Sequence, residues 1–559
     1  MCVLHSRWTD KVNDPILQLA HRLFGYQSLR PGQREAIESV RRGRDTLVVM
    51  STGAGKSAIF ELAGKLLGGP AVVISPLIAL QRDQVAALKA RGHLVAVALN
   101  SAETSRERRE ILDHDTTGAG PRPDFVFLGP EQVANREVLK WLSDLRPAMV
   151  AVDEAHLISR WGPDFRPEYL RIASAVEAMG RPIVLALTAT AAPSVRDEIV
   201  QRLAMRDPAV IVRAFGRPNI DLSSHSYFTD DAHKTKVVAA DAVQAANNQG
   251  HGIVYAATHK RVERLATELT RLGVRAGGYH AGLNGVIRAE TEQRFRAGDL
   301  DVVVATIAFG MGLDKPDIRW VFHADVSNSL DEYYQEFGRA GRDGGHADAV
   351  LYFRADDLRL PRMYASSIGP SESALTAVAD ALATTERPAT LADIAQRTQL
   401  SRSRTDVTAT VFADVGGLVI DADGHVNVVG DLNGAVSRAT ALVRERRVIE
   451  RSRTETMGTY AEIVGCRWQF VLEYFGEPAD GPCGHCDNDK RAAIDMDDSS
   501  PNHPFPRGSR VRHAAFGVGK VIGYAGPGIL LDFDRVGYKR LDVRLVMERD
   551  LLEMADEQP

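Results

Sequence analysis

Two adjacent carboxylates, Asp153 and Glu154, directly follow an apolar run over residues 148–152 that is typical of a buried strand. Ligands bind at the strand ends of open α/β sheets, so both carboxylates are placed to meet one. One member of such a pair can hold Mg²⁺ while the other orients or deprotonates a water molecule. The pair therefore indicates metal-assisted attack of water on a phosphate.

A phosphate-binding motif lies upstream, where an apolar run over residues 47–50 leads into Ser-Thr-Gly-Ala-Gly-Lys-Ser at residues 51–57 and then a helical pattern. Glycines let backbone N–H groups face phosphates, and the helix N-terminus adds its positive end. Lys56 is placed to reach the β- and γ-phosphates and Ser57 to bind Mg²⁺. Met50 replaces the first glycine of the strict pattern, but the acidic pair still favours an ATP site. Its remaining members are Thr52, Gly53 and Gly55.

Three residues near the start, Tyr26, Arg30 and Gln33, predict an adenine site beside this motif. A glutamine amide can satisfy the N6 donor and the N7 acceptor of adenine together. The ring and the guanidinium can sandwich the base. Without the neighbouring phosphate site, all three would be read as ordinary surface residues.

Aromatic and basic side chains follow the acidic pair, a combination that suits stacked bases and phosphates. They are Arg160, Trp161, Phe165, Arg166 and Tyr169. Ser75, at the end of an apolar run over residues 72–74, suits a contact with a nucleic-acid phosphate, although it equally suits turn or cap chemistry. One stretch is thus expected to touch both a nucleotide and a nucleic acid.

These motifs together resemble the first lobe of a superfamily-2 helicase. The segments that carry the resemblance are residues 51–57, 75–80, 153–156 and 188–190. The aromatic loop, and Leu-Arg-Pro-Gly-Gln at residues 29–33, resemble the RecQ family of DNA helicases. The resemblance implies that Asp153 holds Mg²⁺ and that Glu154 is the base. Two departures occur in the loop, since Leu157 replaces a small residue and Arg160 stands where a glutamine is usual.

A second α/β unit begins near Gly252 and ends in Tyr-Gln-Glu-Phe-Gly-Arg-Ala-Gly-Arg-Asp-Gly at residues 334–344. Charge that builds on a transferred phosphate is stabilised by an arginine supplied across a cleft. Arg339 and Arg342 would share one face if this segment were helical. The resemblance implies that Arg342 is the finger, Arg339 its companion and Gln335 a positioner of water. A purely structural arginine pair is the alternative.

After residue 356 the chain departs from the resemblance. The pattern predicts a winged-helix-like insert. It has a helix over residues 372–384, a second helix that opens with a capping box at Thr390 and Asp393, a third helix over residues 402–414 and a hairpin over residues 419–428. Arg402 and Arg404 open the third helix and could meet DNA as recognition-helix N-termini do. The alternative is a domain used for packing or protein contact.

Three cysteines, Cys466, Cys483 and Cys486, have the spacing C-x16-C-x2-C, which indicates zinc because the two-residue knuckle suits tetrahedral binding. Cys466 lies in an expected helical hairpin of residues 444–458 and 460–475, and the other two cysteines follow it. The resemblance places the fourth ligand at Asp489, where the family has cysteine. His485 and Asp487 are the next choices, and a weakened or vacant site remains the alternative.

The tail after the polar residues 491–504 has short strands at regular spacing with glycine turns, which predict a small SH3- or Tudor-like β-barrel. It resembles the C-terminal module of UvrD-type helicases. That resemblance implies a protein or nucleic-acid partner without choosing between them.

Bulk composition bounds the class of protein. With 68 basic and 73 acidic residues among 559, the net charge of −5 excludes a histone-like polycation. Four cysteines cannot form a disulfide framework, no apolar run reaches the ~18 residues of a membrane span, and the N-terminus lacks the apolar core of a secretory signal. We therefore expect a cytoplasmic protein without a membrane partner.

The elements that must position these residues form an α/β protein with two RecA-like lobes of parallel sheet, a winged-helix-like insert, a helical zinc-binding segment and a small C-terminal β-barrel. The expected domains are residues 1–212, 213–356, 357–436, 437–490 and 505–559, with 491–504 as a linker.

The sequence favours an ATP-dependent DNA helicase that uses ATP, Mg²⁺ and Zn²⁺, tracks along single-stranded or tailed DNA and serves repair or recombination. The resemblance implies 3′-to-5′ polarity. The alternatives are a DNA-dependent ATPase or translocase that separates strands poorly, an RNA helicase, and an adaptor in which ATP only switches shape while the insert and the barrel bind DNA or protein.

Overall fold

The computed structural model describes residues 14–51, 53–100, 103, 105–116, 122–159, 167–213, 215–228, 230–309, 315–384, 389–421, 425–479, 481–492, 504–506, 508–525, 528–534 and 536–555. The chain divides into two compact units. The first combines Met1–Ala214 with Gly369–Thr440, and the second combines Phe215–Ile368 with Ala441–Pro559.

The first lobe is built on a seven-stranded, wholly parallel sheet of order β3-β4-β2-β5-β6-β1-β7. Its strands are β1 Thr46–Met50, β2 Ala71–Ile74, β3 Ala96–Leu99, β4 Phe125–Leu128, β5 Met149–Val152, β6 Ile183–Thr188 and β7 Ala209–Arg213. The central strands are buried along their whole length, as their continuous runs of valine, isoleucine and leucine require when helices cover both faces of a sheet.

Eight α-helices belong to the described part of this lobe: Pro15–Leu19, Gln33–Arg41, Lys56–Leu67, Ile78–Ala90, Ser105–Thr116, Arg136–Leu145, Ile172–Ala178 and Pro193–Arg202. A π-helical turn spans Ala20–Phe24, and short 3-10 helices span Pro130–Ala134, Ala155–Ser159 and Pro167–Arg171. Their apolar faces and the strands form one core, in which Ile37, Phe60 and Phe127 are buried.

The second lobe has a six-stranded parallel sheet of order β10-β11-β9-β12-β13-β8. The strands are β8 Ile220–Ser226, β9 Gly252–Tyr255, β10 Ala276–Tyr279, β11 Val302–Ala305, β12 Trp320–His323 and β13 Ala347–Phe353. Its helices are Asp231–Asn248, His259–Arg271, Gly285–Ala297, Leu330–Phe337 and Arg359–Ser367, with a 3-10 helix at Ala355–Leu358. The predicted pair of RecA-like lobes is confirmed.

The winged-helix-like domain has helices Glu372–Thr384, Leu391–Thr398 and Arg402–Asp414 and a three-stranded antiparallel sheet of β14 Ala389–Thr390, β15 Leu418–Ile420 and β16 His425–Val428. The predicted capping box is present. Thr390 N donates to Asp393 Oδ2 at 2.8 Å, and Asp393 N donates to Thr390 Oγ1 at 3.2 Å. Local capping chemistry therefore sets the start of the second helix.

One prediction about the zinc-binding segment is wrong. A single helix, Leu432–Glu462, runs through the expected break near Gly458, and helices Arg467–Tyr474 and Asp487–Ala492 follow. A glycine in a helix interior weakens it only modestly. Here tertiary packing outweighs that penalty, because a Cβ at Gly458 would lie 3.1 Å from Leu358 Cδ1 and the flanking Met457 and Tyr460 are buried.

The C-terminal domain is a curled, five-stranded antiparallel sheet of order β20-β19-β18-β17-β21, a half-barrel. The strands are β17 Arg510–His513, β18 Gly517–Ala525, β19 Gly528–Phe533, β20 Gly537–Asp542 and β21 Leu552–Met554, and helix Val543–Glu548 lies between the last two. The helix and β21 were not predicted. Among the described residues of the whole chain, none of the helices combines the length and the apolar character of a membrane span.

Candidate functional site

The phosphate-binding loop leaves β1 at Met50 and enters a helix at Lys56. Gly53 and Gly55 have φ of +81°, a conformation that favours glycine. A Cβ at Gly55 would lie 2.5 Å from Gln33 Nε2. Glycine at this position thus serves both the turn and the close approach of a neighbouring side chain.

Lys56 and Ser57 open the helix, and both side chains are held in place. Lys56 Nζ donates to Met50 O at 3.0 Å and to Ser51 O at 3.3 Å, so the ammonium lies over the loop. Ser57 Oγ accepts from Gln84 Nε2 at 3.1 Å. Gln84 was not predicted, since nothing in its helical pattern distinguishes it. Thr52 lies outside the described residues.

The acidic pair lies where β5 ends. Asp153 accepts from Ser75 Oγ at 3.2 Å and from Glu154 N at 3.0 Å. Glu154 has φ of +48°, a strained value for a residue with a side chain. Burial and the neighbouring Glu154 carboxylate raise the pKa of Asp153 to about 6, while the Lys56 ammonium opposes this rise. Two crowded carboxylates beside a hydroxyl suit a hard divalent cation such as Mg²⁺.

Ser75 lies beside the acidic pair. Its hydroxyl, assigned above to a nucleic-acid phosphate, donates to Asp153, and the residue is buried. This partner arises because β2 and β5 are neighbours in the sheet and end together. The nucleic-acid contact of Ser75 therefore stays a prediction.

Tyr169 requires a correction. The sequence suggested a stacking surface for bases, but the ring is fully buried and its hydroxyl donates to Asp153 O at 3.2 Å. Tyr169 thus supports the backbone of the acidic pair. On the other side, His156 Nδ1 lies 2.8 Å from Thr188 Oγ1 and 3.2 Å from Glu154 Oε2. Arg160, Trp161, Phe165 and Arg166 lie outside the described residues.

The expected adenine residues gather beside the phosphate loop and contact the protein there. Gln33 Nε2 donates to Ala54 O at 3.1 Å and to Gly55 O at 2.8 Å, and Gln33 Oε1 accepts from Arg30 N at 2.7 Å. The Arg30 guanidinium donates to the carbonyl of Gly53. Gln33 and Arg30 therefore tie the N-terminal segment to the loop, and their contact with adenine stays a prediction.

Tyr26 belongs to a small polar cluster with two residues that were not predicted. Its hydroxyl donates to Glu61 Oε2 at 2.8 Å, and Arg91 lies 3.3 Å from the same oxygen. Burial, with the nearby Glu61 carboxylate, raises the pKa of Tyr26 to about 12. The hydroxyl therefore stays protonated and keeps donating at neutral pH.

Arg339 and Arg342 lie in successive turns after helix Leu330–Phe337, so they do not share a helix face. Arg339 is buried, and Gln335 is half-buried on the helix. Burial raises the pKa of Tyr255 to about 12. The positive charges of Arg339 and Arg342, and a hydrogen bond from Arg339, act in the opposite direction and lower it. Both guanidinium groups thus lie near the C-terminal end of β9.

Two residues that sequence reasoning missed, Arg217 and Asn219, brace the arginine-bearing loop. Arg217 donates to Ala340 O and Gly341 O, both at 2.8 Å, and to Gly338 O at 3.2 Å. Asn219 Nδ2 donates to Gly341 O at 2.8 Å. Gly341, with φ of +55°, has no room for a Cβ because that atom would lie 2.4 Å from Asn219 Nδ2. No local pattern signals contacts across such a separation in sequence.

Cys466, Cys483, Cys486 and Asp489 come together, each with a ligand atom within 4.8 Å of the others. Backbone amides donate hydrogen bonds to the sulfurs. Cys483 N donates to Cys466 Sγ at 3.2 Å, and Cys486 N donates to Cys483 Sγ at 3.3 Å. Three thiolates and a carboxylate form a donor set that fits tetrahedral zinc.

The other two candidates for the fourth ligand are engaged elsewhere. His485 Nδ1 lies 3.2 Å from Asp221 Oδ1, and Asp487 Oδ1 accepts from Arg467 Nε at 2.6 Å. Gly484 N donates to Asp489 Oδ2 at 2.9 Å, which turns that carboxylate toward the knuckle. The geometry thus favours Asp489.

The zinc-binding segment also supports the helix that precedes the arginine-bearing loop. Asp331, buried in the first turn of helix Leu330–Phe337, accepts from Arg453 at 2.7 Å and from Tyr474 Oη at 2.5 Å. The Tyr460 hydroxyl lies 3.4 Å from that of Tyr333. The position of this helix therefore depends on contacts with the zinc-binding segment.

Arg402 and Arg404 are exposed at the start of their helix, and Arg402 Nε lies 3.2 Å from Asp406 Oδ1. Their position is compatible with the predicted DNA contact, which stays a prediction.

Sequence families match three parts of the chain. Residues 30–199 match the DEAD/DEAH box helicase family, residues 235–344 the helicase conserved C-terminal domain, and residues 434–490 the RecQ zinc-binding family. The matched segments coincide with the first lobe, the second lobe and the zinc-binding segment.

Similar proteins carry the same description. The probable ATP-dependent DNA helicase RecS of Bacillus subtilis (strain 168) is 33% identical over 90% of this chain and 98% of its own length. The ATP-dependent DNA helicases RecQ of Pasteurella multocida (strain Pm70) and Haemophilus influenzae are 38% and 32% identical over 61% and 84% of this chain. The chain spans only 52% and 63% of these two relatives.

Solved structures agree in fold. The crystal structure of the DUF1998 helicase MrfA bound to DNA has a TM-score of 0.53 at 18% identity and covers 76% of this chain and 63% of that one. The Mycobacterium smegmatis helicase Lhr bound to single-stranded DNA and AMP-PNP has a TM-score of 0.50 at 19% identity, with coverages of 88% and 66%.

The helicase class is defined by two parallel-sheet lobes. The first carries a phosphate-binding loop beside an acidic pair, and the second carries an arginine-bearing loop. With its RecQ zinc-binding segment and its full-length match to RecS, the chain belongs to the RecQ family of DNA helicases.

The zinc site gives a direct prediction. Purified protein should contain about one zinc ion per chain, and Asp489→Ala should lower this content because one of four ligands is lost. Zinc is measured by elemental analysis after dialysis. His485→Ala is the matched control and should keep its zinc, and Asp489→Cys should restore a full ligand set. Unchanged zinc in Asp489→Ala would move the fourth ligand to another residue.

Arg217→Ala gives a second prediction. Loss of its hydrogen bonds should let the arginine-bearing loop move, and displacement of catalytic groups by about 1 Å can slow a reaction by up to about a hundredfold. We expect the kcat for ATP hydrolysis to fall by about tenfold or more with little change in the KM for ATP. Arg271→Ala, which removes an exposed arginine paired with Glu268 at 2.7 Å, should have no effect. A wild-type kcat in Arg217→Ala would contradict this role.

Proposed function

We propose that the protein is an ATP-dependent DNA helicase that moves 3′-to-5′ along single-stranded DNA and serves DNA repair or recombination. The observation that carries the proposal is the meeting of Lys56, Ser75, Asp153 and Glu154 where β1, β2 and β5 end. Membership of the RecQ family supports DNA as the substrate, and the proposed 3′-to-5′ polarity is that of the family. A cytoplasmic location agrees with a DNA substrate.

Several groups of the first lobe have separate roles in ATP hydrolysis. Lys56 binds the β- and γ-phosphates. Ser57 and Asp153 would hold Mg²⁺, which would neutralise charge on the phosphates. Glu154 orients the attacking water and accepts its proton. Glu154 Oε2 lies 3.2 Å from His156 Nδ1, whereas Asp153 accepts from Ser75 Oγ, so the two carboxylates have different partners.

The second lobe supplies the arginines. Arg342 stabilises the charge that develops on the γ-phosphate, Arg339 supports it, and Gln335 helps to place the water. Because these groups and the phosphate-binding loop belong to different lobes, hydrolysis requires the lobes to close. Repeated closing and opening with each ATP moves the protein along the strand.

A DNA-dependent translocase that separates strands poorly is the second candidate. It is favoured by the ion pair between Arg202 and Asp414, which attaches the winged-helix-like domain to the first lobe. The pair holds the third helix of this domain against the lobe, so the domain is not free to move onto a duplex. We further propose that the C-terminal half-barrel binds a protein partner.

ATP turnover should be lost in Lys56→Ala and in Glu154→Gln, because each variant removes a group that acts on the reacting phosphate. Phosphate release is measured with and without single-stranded DNA, and thermal melting checks the fold. Lys140→Ala, at an exposed surface lysine of the same lobe, is the control and should keep its turnover. Turnover in either site variant would place the ATP site elsewhere.

Strand displacement separates the two candidate activities. A duplex with a 3′ single-stranded tail should be unwound when ATP is present, and a duplex with a 5′ tail should not. If single-stranded DNA stimulates hydrolysis but neither duplex is opened, the translocase is correct. If DNA leaves the ATPase rate unchanged, the protein is an adaptor.

A further inference from the structure

The second lobe contains a polar network of four side chains, Tyr255, His323, Ser327 and Glu336. Tyr255 ends β9 and His323 ends β12, and the two residues are directly opposite each other in the parallel register of these strands. Glu336 lies in the last turn of helix Leu330–Phe337. Tyr255, His323 and Glu336 are buried, and buried polar groups need hydrogen-bond partners.

Glu336 is the acceptor at the centre of this polar network. His323 Nε2 lies 2.9 Å from Glu336 Oε2, and Ser327 Oγ donates to the same oxygen at 2.6 Å. With Glu336 as a carboxylate, which only accepts hydrogen bonds, the imidazole donates through its Nε2–H. The other ring nitrogen of His323, Nδ1, has no hydrogen-bond partner among the described residues. The hydrogen bond to Glu336 is therefore the one that fixes the rotation of this ring.

Ring contacts connect His323 to Tyr255. The two rings are stacked, with their centroids 5.2 Å apart and their planes at 23°. The ring of Tyr333 also contacts His323, with a distance of 4.6 Å between centroids. The imidazole thus contacts two aromatic rings and a carboxylate, so a change in its orientation would disturb the position of Tyr255.

Arg339 is attached to both ends of the polar network. Its guanidinium makes a hydrogen bond with the Tyr255 hydroxyl, and its backbone N donates to Glu336 O at 3.3 Å. Arginine has donors but no acceptor, so the hydroxyl accepts from Arg339 while it donates to Phe309 O at 3.3 Å. The contacts from Glu336 through His323 and Tyr255 back to Arg339 form a closed ring, in which each contact restrains the others.

We propose that the polar network is a positioning element for ATP hydrolysis, which holds the Arg339 guanidinium in the orientation that the reaction requires. The inference rests on the proposed function, in which Arg339 supports Arg342. Fixing a long side chain costs conformational entropy, and a network formed on folding spares the reaction that cost. Because the polar network acts through Arg339, it should change the rate of the chemical step and leave the binding of ADP unchanged.

Tyr255→Phe is the sharpest test, because it removes one hydroxyl and keeps the ring that stacks on His323. We expect the kcat for ATP hydrolysis, measured with single-stranded DNA present, to fall about fivefold or more while the affinity for ADP is unchanged. The affinity for ADP with aluminium fluoride, which imitates the phosphoryl group in the transition state, should fall by a similar factor.

Variants at the other two buried members should agree. His323→Phe keeps a ring against Tyr255 but loses the donor to Glu336, so it should lower kcat in the same way. Glu336→Gln keeps an acceptor oxygen and should therefore retain more activity than Glu336→Ala. Thermal melting of each variant shows whether it is folded.

Tyr352→Phe is the matched control. Tyr352 is a buried tyrosine of β13 in the same lobe, and its hydroxyl donates to Asp241 Oδ2 at 2.8 Å. The variant also loses a buried hydroxyl and its hydrogen bond, but outside the polar network. It should keep the wild-type kcat even where its melting temperature falls.

A double-variant cycle separates positioning from general stability. If the polar network acts through Arg339, adding Tyr255→Phe to Arg339→Ala should cause little further loss of kcat, within about twofold. A network that only stabilises the lobe would lower kcat by the same factor with and without Arg339. Where turnover of Arg339→Ala is too slow to measure, the affinity for ADP with aluminium fluoride supplies the same comparison.

The outcomes are distinct. If the wild type does not hydrolyse ATP, the proposed function and this inference fail together. If it does and Tyr255→Phe matches its kcat, the inference alone fails. It also fails if the losses of Tyr255→Phe and Arg339→Ala multiply in the double variant, or if Tyr352→Phe slows hydrolysis as much as Tyr255→Phe. Should His323→Phe not fold, Tyr255→Phe decides by itself.

Discussion

The constraint that shapes the site of the first lobe is the placement of two adjacent, half-buried carboxylates next to a lysine. Burial, and then the neighbouring Glu154 carboxylate, raise the pKa of Asp153. Several features make the arrangement tolerable. Ser75 donates to one carboxylate, His156 lies beside the other, and a positive φ at Glu154 turns the backbone between them. The excess negative charge suits a hard divalent cation.

The second lobe solves a different problem, which is to fix long arginine side chains on a loop outside regular structure. Arg217 and Asn219 hold the loop by its carbonyl groups, so its position does not depend on the arginines themselves. Asp331 anchors the preceding helix to Arg453 and Tyr474 of the zinc-binding segment. The zinc-binding segment thereby supports the helix that precedes the arginine-bearing loop.

The sequence predicted those features that local patterns encode. Buried strands, the phosphate-binding loop, the capping box at Thr390 and the cysteine knuckle all follow from residue type and spacing. Partners of side chains did not follow, because they depend on which strands and helices become neighbours. Tyr169 was expected to stack on bases, but it is buried and supports Asp153. The break expected near Gly458 is absent since packing against Leu358 outweighs helix propensity. Arg217 and Asn219 had no signal at all.

Order along the chain also failed to indicate order in space. The winged-helix-like domain follows the second lobe in sequence, yet Gly369–Thr440 belongs with the first. This return places acidic side chains of the insert, Asp406 and Asp414, against arginines of the lobe that binds ATP. Those arginines are Arg202, the last residue of helix Pro193–Arg202, and Arg171, the last residue of the 3-10 helix Pro167–Arg171. The Tyr169 hydroxyl donates to Asp153 O, and helix Pro193–Arg202 packs on the 3-10 helix Ala155–Ser159, so the insert contacts the first lobe through elements that adjoin the acidic pair.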